Sequence, residues 1–218
     1  MINIEKLNQN LHKTLTKGRV AISQPSGCPS VSLYLFDPKV LEGPLSHDEA
    51  QAVVAEPAYW SFCWASGQVL AQFILSHPDS VKDKVVVDVG SGSGIVAITA
   101  ALSGAKQVYA CDIDEDALDA INANAQENQV SIQTITHLDE VKEAIDLITA
   151  ADVLYDRDNF SLLTQFTEIA AEVLLADSRV KTLPVDHYQL QTTIEARTWP
   201  DLNEFEEFNQ VRIYASSH

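Results

Sequence analysis

The segment Lys84-Val85-Val86-Val87-Asp88-Val89, followed by Gly90-Ser91-Gly92-Ser93-Gly94, constrains this chain more than any other. A continuous apolar run with one acid near its end is the pattern of a strand buried on both faces. Such burial requires a sheet covered by helices on either side. Three alternating glycines then let the backbone bend sharply and approach a ligand where a Cβ would collide. Residues 95–103 continue as an apolar helix closed by Gly104, so strand, tight turn and helix follow in order.

The same alternation runs onward. Residues 107–112 read as a second strand, 115–128 as a helix, 130–135 and 146–152 as further strands, and 159–174 as a helix. A strand at 173–176, a helix at 186–197 and a terminal strand at 210–215 complete the series. Strands separated by helices at this interval predict an α/β fold with a mostly parallel sheet. Ligands of such sheets bind beyond the carboxyl ends of the strands, so the residues after 89, 112 and 151 carry the chemistry. Upstream, Ile4, Leu7, Leu11 and Leu15 lie at helical spacing, 31–36 reads as a strand, and Ser46 with Glu49 forms a capping-box signal for a helix through Ala55. A helix over 65–76 ends at Pro78. The expected organisation is one compact domain, with residues 1–80 as an extension packed on a core of 81–218.

The glycine turn discriminates between cofactors. A dinucleotide fingerprint needs its third glycine at position 95, which is Ile95, and no Lys-Ser/Thr pair follows for a phosphate loop. Asp88 beside the helix start opposes a pyrophosphate and suits an uncharged or cationic ligand. Asp112 closes the second strand, 22 residues after Gly90, where a carboxylate can accept both hydroxyls of a ribose.

VVVDVGSGSGIVAI together with ACDID resembles the cofactor motifs of class I S-adenosylmethionine-dependent methyltransferases. The stretch AYWSFCWASGQVLAQFILSHPDSVKDKVVVDVGSGSG is similar to the seven-β-strand protein lysine methyltransferases, above all the electron transfer flavoprotein β-subunit lysine methyltransferase group and its bacterial relatives. The resemblance covers roughly residues 55–180. It implies a Rossmann-like seven-stranded sheet with helices on both faces, and methyl transfer from S-adenosylmethionine without a metal. By the same resemblance the cofactor is held by Trp64, Asp88, Gly90, Ser91, Gly92, Gly94, Asp112, Ile113, Asp139 and Ala151. The motif Asp152-Val153-Leu154-Tyr155 shapes the mouth through which a target amine enters, with Asp152 and Tyr155 as catalytic residues. LLADSRVKTLP, with Asp177 and Arg179, resembles the family's segment after the fifth strand. Where many relatives carry an acid followed by Trp after the third strand, this chain has Leu138-Asp139-Glu140.

Charge narrows the partners. Fourteen Lys and Arg against 31 Asp and Glu leave a net charge of −17, which repels a nucleic-acid backbone over most of the surface. By the resemblance, a protein carrying an exposed lysine is the expected substrate, with a small amine or heterocycle the alternative acceptor and a cofactor-binding module without turnover a third reading. No apolar run is long enough to span a bilayer, no secretory signal pattern stands at the start, and three widely spaced cysteines lack a CxxC pair. These features point to a cytoplasmic protein without membrane partners.

Overall fold

The computed structural model of the protein describes residues 4–40, 57–201 and 206–217. Helix α1 (Ile4–His12) leads into a two-stranded antiparallel ribbon of β1 (Val20–Ser23) and β2 (Leu33–Phe36). Helix α2 (Ala65–Ser76) follows, then β3 (Val85–Val89), α3 (Ile95–Leu102), β4 (Gln107–Cys111), α4 (Glu115–Glu127) and β5 (Gln133–Ile135). The chain ends with β6 (Ile145–Ala151), α5 (Ser161–Ile169), β7 (Ala170–Asp177), β8 (Gln189–Glu195) and β9 (Gln210–Ser217).

Seven strands form one sheet in the order β5-β4-β3-β6-β7-β9-β8. The five strands from β5 to β7 are mutually parallel, and β9 runs antiparallel to both β7 and β8. The valine run explains the central position of β3. Val86 packs in the core on the α2 and α3 face, while Val85 and Val87 pack on the α5 face. Successive side chains of a strand alternate between faces, so a strand covered on both sides is apolar throughout. Each fully buried valine contributes about 1.5–3 kcal/mol relative to exposure.

Helix α4 is apolar on two sides, which its alanine-rich sequence permits. Ile121 and Ala125 face the sheet, whereas Ala117, Ala120 and Ala123 pack against Leu7, Leu11, Tyr34, Phe36 and Trp60 of the N-terminal segment. Asn124 joins the two layers. Fully buried, it accepts from the Tyr34 amide at 2.7 Å and donates to the Ser93 carbonyl at 2.8 Å. The segment before residue 80 therefore contributes both a helix covering the sheet and a layer fixed to the glycine turn.

Two readings of the sequence need correction, and one strand was not read at all. Residues 186–197 do not form a helix; they contain β8, whose Thr192 and Ile194 are half-buried while Gln191, Thr193 and Glu195 are exposed. The helix expected over 159–174 stops at Ile169, because Ala170 turns to extended backbone and pairs with Ile145. Strand β1 carried no sequence signal of its own and pairs with β2 outside the main sheet. The capping-box helix through Ala55 lies outside the described residues. Among those residues, no helix is long and apolar enough to cross a membrane.

Replacing Asn124 with alanine strands a buried amide on β2 and a buried carbonyl in the turn. Urea unfolding should show a loss of about 2–3 kcal/mol; a change within the error of the wild type would show that Asn124 is not what ties the ribbon to the core.

Candidate active site

The carboxyl ends of β3, β4, β6 and β7 lie side by side, and each delivers residues to the same end of the sheet. After β3, the chain turns through Gly90, Gly92 and Gly94 with φ of 65°, 54° and 81°. At Gly90 an added Cβ would sit 2.6 Å from Val153 Cγ1, so only glycine fits the turn against the motif after β6. At Gly92 an added Cβ would meet nothing nearer than the Gly90 carbonyl at 3.9 Å. The positive φ and the open space above it make a cradle where backbone can approach a ligand. The turn is pinned to β4, since the amides of Gly90 and Ser91 both donate to the Cys111 carbonyl at 2.9 and 3.2 Å.

Asp88 lies beneath this turn, 2% exposed. Its Oδ2 accepts from Ser91 Oγ at 2.6 Å and its Oδ1 from Thr149 Oγ1 at 2.8 Å. Burial pushes its carboxyl up to about 6, against the pull of those two hydroxyls. The structure thus places Asp88 and the Ser91 side chain inside, shaping the loop, and leaves the loop backbone facing the crevice. Ala151, at the end of β6, is half-buried and carries the chain into Asp152.

Asp112 follows β4. Its Oδ2 accepts from the Gly92 amide at 2.8 Å and its Oδ1 from the Asp114 amide at 3.1 Å, which sets the carboxylate across the mouth of the glycine cradle. Burial raises its pKa above the usual carboxylate value, opposed by those amides. Ile113 beside it is 83% exposed, an apolar side chain bordering a hollow of about 480 Å³ shared with Ala58 and Trp60. Asp139 stands apart on the short turn after β5: it is exposed, and its carbonyl accepts from Lys142 Nζ at 2.6 Å. Among the described residues, its side chain makes no hydrogen bond to the rest of the site.

Asp152 adopts a left-handed conformation, φ 54° and ψ 29°, uncommon outside glycine and concentrated at functional positions. Its Oδ1 accepts three hydrogen bonds, from Ser66 Oγ at 2.7 Å, Ser178 Oγ at 2.8 Å and the Ser178 amide at 3.0 Å. Among the described residues, Oδ2 accepts none. Tyr155 is 61% exposed, with its ring 5.9 Å from that of Tyr59, which is 5.6 Å from Trp64. The Trp64 indole N–H donates to the Tyr59 carbonyl at 3.0 Å, and its ring also lies 6.0 Å from that of Phe62. Partial burial, then Tyr59 and the charges of Asp112 and Asp156, hold the Tyr155 hydroxyl above its ordinary pKa, so it stays a neutral phenol.

The structure therefore brings Gly92 to Asp112, Asp88 to Ser91, and Trp64 to Tyr155 through Tyr59. Sequence reasoning missed Ser66, Thr149 and Ser178, the hydroxyls that hold the two acids. Position was the available signal: Ser66 lies two residues after Trp64 at a helix start, and Ser178 directly follows a strand whose end borders the crevice. Among the described residues, no group of three or more His, Cys, Asp or Glu side chains is placed to hold a metal ion.

A mostly parallel seven-stranded sheet, with a glycine turn after its central strand and an acid after the next, defines the class I methyltransferase architecture. More narrowly, this chain belongs to the ribosomal protein L11 methyltransferase (PrmA) family, whose model matches residues 70–180. It is 33% identical over 165 residues to the electron transfer flavoprotein β-subunit lysine methyltransferase of Homo sapiens, covering 73% of this chain and 61% of that protein. The chain thus spans about three fifths of that relative's length. The ribosomal protein L11 methylase of Lactobacillus delbrueckii subsp. bulgaricus superposes with a TM-score of 0.54 at 25% identity, over 70% of this chain and 78% of that one. The magnesium protoporphyrin IX methyltransferase of Synechocystis PCC 6803, solved with bound SAM, shares the fold with a TM-score of 0.54 at 17% identity, over 82% and 86% of the two chains.

The raised Asp88 pKa has a stability consequence. A carboxyl near 6 in the folded state and 3.8 unfolded holds more protons when folded between those values, so stability falls as pH rises from about 4 to 6. The full cost above that window is roughly 3 kcal/mol. Denaturant unfolding of Asp88→Asn should accordingly gain on the wild type as pH rises from 4 to 7. A difference between the two proteins that is constant across that range would contradict the raised pKa of Asp88.

Proposed function

We propose that this chain transfers a methyl group from S-adenosylmethionine to the ε-amine of a lysine in a protein substrate. The observation carrying this reading is the asymmetry of the Asp152 carboxylate. One oxygen is fixed by Ser66 and Ser178, and the other has no partner among the described residues, at a mouth bordered by an exposed tyrosine. The relatives named as lysine methyltransferases support the same choice.

The residues present fit the cofactor. The open space over Gly92 accommodates close approach to backbone, Asp112 lies within hydrogen-bond distance of that backbone to take ribose hydroxyls, and Ile113 offers an apolar surface beside it. We assign Trp64, Gly90, Gly94 and Ala151 to the walls and shape of this site, Asp88 and Ser91 to the support of its turn, and Asp139 to its outer rim. In this division residues 81–218 carry the cofactor half, and the extension before them supplies Trp64 and Ser66.

When bound, S-adenosylmethionine supplies an activated methyl group on a sulfonium sulfur. The chain's own contribution is to position the amine, whose ammonium proton leaves to water before transfer. A lysine with pKa near 10.4 reaches its nucleophilic form at pH 7 at a cost of about 4–5 kcal/mol. Asp152 Oδ2 accepts a hydrogen bond from the nitrogen, which orients its lone pair. Nitrogen becomes cationic as the new bond forms, so a fixed carboxylate and the face of the Tyr155 ring complement the transition state more than the neutral ground state. The aromatic rim favours a macromolecular acceptor over a small one: Tyr59 and Tyr155 are 46% and 61% exposed, an open surface rather than an enclosed pocket. A net charge of −17 favours encounter with a basic target.

Incubation with methyl-labelled S-adenosylmethionine and cell lysate, followed by hydrolysis of the protein fraction, should yield labelled methyl-lysine. With Asp152→Ala the label should fall at least about a hundredfold, while cofactor affinity stays within about threefold. Unchanged turnover in that variant removes Asp152 from the chemistry, and label confined to small molecules replaces the lysine reading with a small-amine acceptor.

A further inference from the structure

The turn after β7 contains a carboxyl group that the site as described leaves unused. Asp177 has 0% exposure. Its Oδ1 accepts from the amides of Arg179 and Val180 at 2.8 and 2.6 Å, while its buried Oδ2 has no hydrogen-bond partner among the described residues. Between these residues lies Ser178, whose amide and hydroxyl supply two of the three hydrogen bonds to Asp152 Oδ1. The two segments are joined at the backbone as well. Ala151 pairs with Ala176, and the Asp152 amide donates to the Ala176 carbonyl at 3.0 Å.

We infer that Asp177 is a positioning residue for methyl transfer: it folds the turn after β7 so that Ser178 grips one oxygen of Asp152 and leaves the other for the target amine. The inference rests on the reading of Asp152 given above. An aspartate accepting the amides two and three residues on closes a tight turn in one conformation. Without that acceptor the amides of Arg179 and Val180 lose their partner, and the Ser178 amide loses its aim. A hydroxyl alone rotates about its χ1, whereas the amide is held by the turn. The arrangement is kept at an energetic cost. Burial, and then the neighbouring Asp152 charge, push the Asp177 carboxyl up to about 6 against the pull of its two amides and of Arg179. Arg212 lies opposite on β9, and Tyr214 two residues further along that strand senses the same charge.

Two substitutions separate acceptor geometry from charge. Asp177→Ala removes the acceptor, while Asp177→Asn keeps an oxygen for the two amides and discards the charge. In steady-state transfer to a lysine acceptor, Asp177→Ala should lower kcat at least about tenfold, with acceptor KM and S-adenosylmethionine Kd within about twofold. Asp177→Asn should recover to within about threefold of the wild type. Amide hydrogen exchange at Ser178 reads the same device without substrate. It should accelerate at least about tenfold in Asp177→Ala and stay near the wild-type rate in Asp177→Asn. Asparagine as impaired as alanine, kcat and cofactor binding lost together, or unchanged Ser178 exchange in Asp177→Ala would each overturn the proposal. If the wild type methylates no lysine acceptor, the lysine reading fails, and the exchange measurement still decides the role of Asp177.

Discussion

The approach of Gly90 to Val153 is the constraint on which the site depends. A Cβ at position 90 would lie 2.6 Å from Val153 Cγ1, so the Val153 side chain of the motif after β6 packs directly on the bare backbone of the glycine turn after β3. Their register follows from the sheet, where Val89 pairs with Ala150 in β6 and with Cys111 in β4. A parallel sheet thus brings three loops, far apart in sequence, to one edge. The glycine lets two of them close to van der Waals distance.

Beneath that junction the crevice is organised by hydroxyls acting on carboxylates. Thr149 and Ser91 hold Asp88 inside, and Ser66 and Ser178 hold Asp152 at the mouth. The two acids serve different ends because their surroundings differ. Asp88 has both oxygens engaged and is sealed under the turn, which suits a structural anchor. Asp152 has one oxygen engaged and sits at the rim, which suits a group that must meet a cation forming in front of it. Placing Ser66 on α2 and Ser178 after β7 means that helix, sheet and turn must all be in register before Asp152 is aimed.

Much of this was legible in the sequence where burial enforces a pattern. The valine run, the glycine turn, Asp112 at a strand end and Asp152 after β6 all lie where strand–helix alternation puts them. The failures occurred where burial relaxes. Strand β8 lies at the sheet edge with Leu190 54% exposed and a register irregularity between Leu190 and Thr192, so its apolar residues show no clean alternation. Leu190 and Ile194 then mimic helical spacing. The end of α5 was overrun because Ala170 enters β7 directly, with no glycine or proline to mark the change. The hydroxyls holding Asp88 and Asp152 were marked by position at most: serine and threonine carry no periodic signal, and only the folded register shows which acid each one meets.

The central claim is that the crevice between the glycine turn and Asp112 holds an adenosyl sulfonium. Isothermal titration of the wild type and of Asp112→Ala with S-adenosylmethionine, and with NAD as the competing ligand, tests it most directly. One site per chain that binds S-adenosylmethionine, ignores NAD and weakens at least about tenfold on loss of the carboxylate is the result this account requires. Binding of NAD alone, or S-adenosylmethionine affinity indifferent to Asp112, would contradict it.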